Sequence, residues 1–173
     1  MAGEPLGVDL LNTAWLQGGR RHDLLSTVGG LREWLREREL PTRRADERMR
    51  QALVYTREVL RDLLEQVCGA DERLNAVLAR GLIVRELDCG QVRERVLCSD
   101  DTWLPAWHAA ADHLRLRAAC PTAIRRCAHP ACVLYFYDPS GRRRWCSMTG
   151  CGNRAKAQRH YKRTKAGEPD SQS

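Results

Sequence analysis

Four cysteines in the pattern C-x4-C-x13-C-x4-C, at Cys127, Cys132, Cys146 and Cys151, constrain the C-terminal part of this chain more tightly than any other feature. Two short loops that each present two thiolates can complete a tetrahedron around one Zn2+ if the chain between them folds back. Residues 133–137 (VLYFY) are β-rich, Asp138-Pro139-Ser140-Gly141 is a turn, and residues 142–145 return toward the second loop. The expectation is a hairpin between 133–137 and 142–145 that carries Cys132 to Cys146. The segment holds so few aliphatic residues that metal binding has to supply its folding free energy. Four thiolates leave no open position for water, so one structural zinc is expected and not a catalytic one. His129 and His160 are alternative ligands with poorer spacing. The other cysteines, at 68, 89, 98 and 120, stand singly and read as reduced thiols of a cytoplasmic chain without a leader or membrane span.

Beyond Cys151 the residues Gly152, Asn153, Arg154, Ala155, Lys156, Ala157, Gln158, Arg159, His160, Tyr161, Lys162 and Arg163 tolerate helix throughout. In a helix rooted at Cys151, Asn153, Lys156, His160 and Arg163 share one side, flanked by Arg154, Arg159 and Lys162. Such a helix repels itself in isolation and suits phosphates. Asn153 either reads adenine or ties its amide to a carbonyl of the cysteine loop, and Arg154 either reads guanine or braces the hairpin. Arg142, Arg143 and Arg144 at the turn are candidate phosphate clamps, and Trp145 is a lid over the metal or a base-stacking platform. Charge is segregated in the same sense. Residues 1–124 carry 18 arginines against 19 acids, whereas residues 125–173 carry 11 cations against 3. A neutral body with a polyanion-binding appendage distributes charge this way.

The body reads as mainly helical with one β-hairpin. Apolar periodicity predicts helices over 8–16, from Ser26 or Thr27 to about Leu40, over 45–67, from Asp71 to Gly81, and over 102–119 with Trp107, Ala111, Leu114 and Ala118 inside. Residues 18–23 read as a loop. Alternation over 83–98 across Asp88-Cys89-Gly90 predicts the hairpin. The expected units are a helical domain over 1–121, a four-cysteine zinc finger over 122–165 with knuckles, hairpin and basic helix, and a disordered tail over 166–173.

The run RRWCSMTGCGNRAKAQRHYKR resembles the CGNR zinc finger over residues 124–163, and GEPLGVDLLNTAW at residues 3–15 with Asp23-Leu24-Leu25 resembles the ABATE domain that often precedes it. The resemblance implies a bacterial DNA-binding transcription regulator with structural zinc and an N-terminal domain suited to sensing. The expected partner is duplex DNA, met at the nucleoid, with RNA binding or a zinc-stapled protein-interaction module as alternatives. No nucleophile and base are spaced for catalysis, so no enzyme is expected. A homodimer would strengthen binding by a single finger. Asn12, Arg20 and Arg21 are candidates for an acidic effector, with helix packing as the alternative role of Asn12.

Overall fold

The computed structural model of the chain describes residues 3–40 and 44–166, except for the side chains of 159, 160 and 162–166. In chain order the elements are α1 (Leu6–Leu11), β1 (Ala14–Gln17), β2 (Arg20–Asp23), α2 (Val28–Glu37), α3 (Glu47–Leu64), α4 (Ala70–Leu78), β3 (Gly81–Asp88), β4 (Gln91–Cys98), α5 (Leu104–Ala119), β5 (Ile124–Arg126), β6 (Tyr135–Tyr137) and α6 (Asn153–Ala166). The three sheets are two-stranded antiparallel ladders, β1 with β2, β3 with β4 and β5 with β6. Side-chain caps start the helices where short polar residues precede them. Thr27 accepts from the Gly30 N–H at 3.1 Å and Asp46 from the Met49 N–H at 3.1 Å, contacts worth about 1 kcal/mol each.

Helix α3 is the axis of the body, with α1, α2, α4 and α5 packed around it. Leu53, Val59 and Leu60 on α3 meet Leu10 and Leu11 of α1, Leu31 and Trp34 of α2, Leu74 and Val77 of α4, and Ala109 and Ala110 of α5 in one apolar core. Two residues of the finger, Ile124 and Tyr135, belong to that same core. Helix α1 lies so close to α5 that a Cβ on Gly7 would sit 2.8 Å from the Ala109 carbonyl oxygen and from His113. Only glycine permits this approach.

Several expectations are corrected. Residues 8–16 are not one helix, because α1 ends at Leu11 and the chain turns into β1. Residues 18–23 are not a loop: β2 occupies Arg20–Asp23, so the body has a second hairpin, with Trp15 opposite His22 and Leu16 opposite Arg21. Short strands joined by Gly18-Gly19 carry too few residues for alternation to separate them from helix. Helix α3 stops at Leu64, leaving Val67 exposed, and α4 is preceded by a left-handed Gly69 and is not capped by Asp71. Gly81 opens β3. Before α5 a 3-10 turn occupies Asp101–Trp103, and the buried stripe of α5 is Ala106, Trp107, Ala109, Ala110, His113 and Leu116; Leu114 and Ala118 face outward. Small residues and a histidine set that face, because α1 must come close, and apolar periodicity does not register them. The tail expected over 166–173 lies outside the described residues except for Ala166, which ends α6. Among the described residues no helix is long and apolar enough to cross a membrane.

His113 is wholly buried, and among the described residues neither ring nitrogen has a hydrogen-bond partner. Burial first, then the charge of Arg117, opposed by Asp112, depresses its pKa to about 4. An unfolded histidine binds a proton near pH 6.5, so the body holds the neutral ring, and its stability is intact above that pH and falls as pH drops toward 4. The loss amounts to about 3 kcal/mol over that interval. Urea melts at pH 7 and pH 4.5 should show it in the native chain and show much less in His113→Leu; an equal pH dependence in both would contradict the assignment.

Candidate metal centre and basic helix

The finger is built on β5 and β6, with Ile124 opposite Tyr137 and Arg126 opposite Tyr135. The expected pairing of 133–137 with 142–145 is therefore corrected. The strand partner of β6 is the segment before the first knuckle, and residues 142–145 run alongside that knuckle, with the Ala128 N–H donating to the Arg144 carbonyl at 3.0 Å. The thiols still converge. Their sulfurs all lie within 4.8 Å of one another, with Cys132 and Cys146 at 3.8 Å and Cys146 and Cys151 at 3.5 Å. A tetrahedron with Zn–S bonds near 2.3 Å has sulfurs roughly 3.8 Å apart.

The electrostatics call for a cation. Burial, with the neighbouring sulfurs adding to it, pushes the Cys132 thiol up to about 11 and the Cys146 thiol further. Burial also acts on Cys127, but the Cys146 and His129 N–H groups outweigh it and hold that thiol low. Four thiolates cannot share so small a space unless a cation is among them. Cys127, Cys132, Cys146, Cys151 and Phe136 form a small core of their own, with Leu134 and Trp145 against it. This is a structural zinc site, and its closed set of ligands leaves no open position. His129 is buried, and its Nδ1 accepts from the Ala131 N–H at 3.2 Å, shaping the first knuckle; the side chain of His160 lies outside the described residues.

From Met148 to Gly152 the chain makes a π-turn, with the Ser147 side chain accepting from the Gly150 N–H at 3.0 Å, and α6 continues directly from it. A Cβ on Gly152 would come within 3.0 Å of the Met148 sulfur and 3.4 Å of Trp145. The glycine thus leaves room for Met148 and Trp145 beside the residue that follows the last ligand. Arg154 donates to the Cys151 sulfur at 3.1 Å, and the Asn153 amide donates to the Thr149 carbonyl at 3.3 Å. Both side chains are used by the knuckle while remaining exposed.

Of the three arginines at the turn, Arg142 and Arg144 are exposed. Arg143 turns inward. Its guanidinium pairs with Glu4 at 2.9 Å, donates to the carbonyls of Trp145 and Cys146, and lies 4.7 Å from the Phe136 ring centre. Asp138 organises this turn. It accepts from the backbone N–H groups of Ser140 and Arg143 and pairs with Arg125 at 2.9 Å. Lys156 is exposed on α6, and the side chains of Arg159, Lys162 and Arg163 lie outside the described residues.

Asn12, expected as an effector contact or as part of helix packing, joins body to finger. It accepts from the Tyr135 N–H at 2.8 Å and donates to the Tyr135 carbonyl at 2.9 Å, and Glu4 accepts from the Tyr137 N–H at 2.9 Å. One edge of β6 pairs with β5; on the other, these two side chains take the place of a third strand. Sequence reasoning missed Glu4, and nothing in its surroundings marks it. Asn12→Ala leaves a buried N–H and C=O without partners, at a cost of about 1–3 kcal/mol each. Limited proteolysis should then cut between α5 and β5 at least tenfold faster than in the native chain; unchanged cleavage would show that the clamp does not hold the finger.

Arg20 and Arg21 are exposed on β2. Arg21 lines a cavity of about 310 Å3 between body and finger, whereas Asn12 borders a different one beside α2 with Asp9, Glu33 and Glu37. Arg20 lines neither of these cavities.

The architecture is thus a helical body clamped to a zinc-stapled finger that ends in a basic helix. A family model described as "Putative stress-induced transcription regulator" (ABATE) matches residues 4–129, and one described as "CGNR zinc finger" matches residues 123–164. The chain belongs to the ABATE family and carries a CGNR zinc finger at its C-terminus, which makes it a zinc-binding regulator. No curated protein matches the chain.

Proposed function

We propose that the chain is a non-catalytic transcription regulator that grips duplex DNA through α6 and the exposed arginines of the finger turn. The observation that carries this reading is the composition and anchorage of α6. Its sequence NRAKAQRHYKRTKA holds six cations and no acid, and its first turn is fixed by a metal ligand. Arg142, Arg144 and Lys156 add exposed charge beside it. Because Arg154 and Asn153 bond within the knuckle, phosphate contact falls first to Arg142, Arg144 and Lys156, and base reading to side chains further along α6.

Binding should be measured on duplex DNA and on RNA of the same sequence over a range of salt, native chain beside an Arg142→Ala/Lys156→Ala double variant. Duplex DNA should bind more tightly, and the variant should lose about 0.9 from the log–log salt slope per contact removed. Equal affinity for RNA would favour the RNA reading, and an unaffected variant the protein-interaction reading.

A single finger covers few base pairs, and the β3–β4 arm offers a way to double it. One face of the arm carries Ile83, Leu87, Val92 and Val96 around the Arg85–Glu94 pair at 2.8 Å, with Leu87 75% and Val92 69% exposed. A two-fold axis would set Arg85 of one copy against Glu94 of the other. Light scattering should find a dimer that Leu87→Glu/Val92→Glu converts to monomer; a monomeric native chain would exclude this contact.

A further inference from the structure

The seam between body and finger gathers more positive charge than the protein itself neutralises. The cavity of about 310 Å3 there is lined by Arg21 from β2, Arg61 from α3 and Arg126 from β5, with Glu65 the one carboxylate among its lining residues. Glu65 already accepts from the Tyr135 hydroxyl at 3.4 Å. Arg61 is mostly buried and gives one guanidinium nitrogen to the Leu11 carbonyl at 2.9 Å and another to Glu58 at 3.3 Å. No carboxylate lies within 4.0 Å of Arg21 or Arg126 among the described residues. The neighbouring Arg57 is different, because Asp23 meets it with both oxygens at 2.7 Å. Three guanidinia from three elements therefore face one cavity with a single, occupied acid between them. Trp15, Val133 and Tyr135 supply apolar walls.

We propose that this seam binds a small phosphomonoester, its dianion held by Arg21, Arg61 and Arg126 and its organic part laid against Trp15 and Tyr135. Guanidinia match phosphate oxygens through paired N–H donors, and burial of one partner strengthens such bonds. A cavity at a domain junction is a usual place for a ligand. The ligand would bridge the two units, because Arg21 and Arg61 belong to the body and Arg126 to the finger. Two other cavities fit an anion less well. The one beside Asn12 sets Asp9, Glu33 and Glu37 against Arg38 alone, and the one at the foot of the β3–β4 arm sets Arg48 and Arg80 against Asp100, with Arg80 laid over the Trp103 ring at 3.8 Å. The sequence placed an acidic ligand at Asn12, Arg20 and Arg21; of these only Arg21 lines the proposed site, and its partners come from positions 61 and 126.

Phenyl phosphate is the probe, titrated calorimetrically into the full zinc-loaded chain, with phenol and inorganic phosphate as controls. Phenyl phosphate should bind saturably with one site per chain, more tightly than phosphate alone, and phenol should not bind. Arg21→Gln and Arg126→Gln change exposed side chains on opposite sides of the seam, and each should weaken binding at least tenfold without changing the circular dichroism. Absence of saturable binding, or native affinity in either variant, overturns the proposal. The same titration repeated with saturating duplex DNA separates the two sources of phosphate. An unchanged number of sites supports a small-molecule ligand, and full competition overturns it by assigning these arginines to the nucleic-acid surface. Neither variant touches α6, so the DNA-binding reading stands or falls separately.

Discussion

Cys146→Ser, or removal of the metal with a strong chelator, is expected to unfold the finger and abolish nucleic-acid binding while the helical body survives. Cys146 sits at the middle of the cluster, 3.8 Å from the Cys132 sulfur and 3.5 Å from that of Cys151, and its N–H donates to the Cys127 sulfur at 3.4 Å. Beyond the four ligands the finger's own buried core contains, among the described residues, Phe136 alone, with Leu134 and Trp145 half-buried against it. Burying three side chains yields a few kcal/mol, far short of the ordering cost of about 35 residues. Structural zinc contributes on the order of 10–16 kcal/mol at neutral pH, enough to reverse the balance. Ile124 and Tyr135 remain in the body core and Asn12 still clamps β6, so unfolding should spare β5 and β6 and take the knuckles and α6. Far-ultraviolet circular dichroism should lose the signal of about one helix, and hydrogen exchange in α1 and α3 should not change. A chelated chain with full helicity and full protection in residues 146–158 would refute the structural role of the metal.

Arg57→Ala is expected to be the most damaging substitution in the body. Arg57 is 2% exposed, makes a bidentate pair with Asp23 at 2.7 Å, and donates to the Thr13 hydroxyl at 2.9 Å. It thereby fixes the β1–β2 hairpin to α3. Removing it strands Asp23 and Thr13 and leaves a cavity; loss of one member of a buried pair costs about 3–5 kcal/mol, and the lower end applies because Asp23 keeps some solvent contact. The melting temperature should fall by roughly 10 °C. Arg57→Lys should recover only part of this, since one ammonium cannot serve both carboxylate oxygens and the hydroxyl. Burial raises the Asp23 pKa, but the hydrogen bonds and charge of Arg57 outweigh it and leave the carboxyl below its ordinary value. The pair's contribution is therefore complete above about pH 4, where an unfolded aspartate has ionised, and is lost as pH falls through the lowered folded value. A native chain and an Arg57→Ala variant with the same melting temperature at pH 7 would remove Arg57 from the account.

The metal centre was legible because thiol spacing is a local property. Cys127 and Cys132, and Cys146 and Cys151, are each held by one short loop, and the ion brings the pairs together whichever strand pairs with which. That is why the ligand set was read correctly although the hairpin was not. Helices α2, α3 and α5 were legible in outline from apolar repeats of seven or more residues. The end of the six-residue α1 and the four residues of β1 were not, because a segment that short presents too few side chains to distinguish a period of 3.6 from one of 2. Their conformation is set from outside, by α5 against Gly7 and by Arg57 drawing Asp23 inward.

A four-thiolate zinc site, a basic helix leaving its last ligand and a helical body with one exposed arm follow from the amino-acid sequence alone, since each rests on spacing or periodicity within a single stretch of chain. Packing of the folded chain set the rest: Asn12 and Glu4 clamp the open edge of β6, Arg143 pairs with Glu4 across the two units, and Arg21, Arg61 and Arg126 meet across a seam. Those roles join residues from 40 to more than 130 positions apart. Contacts at that separation are fixed by how packed elements bring backbone edges and charges together, which no local pattern encodes.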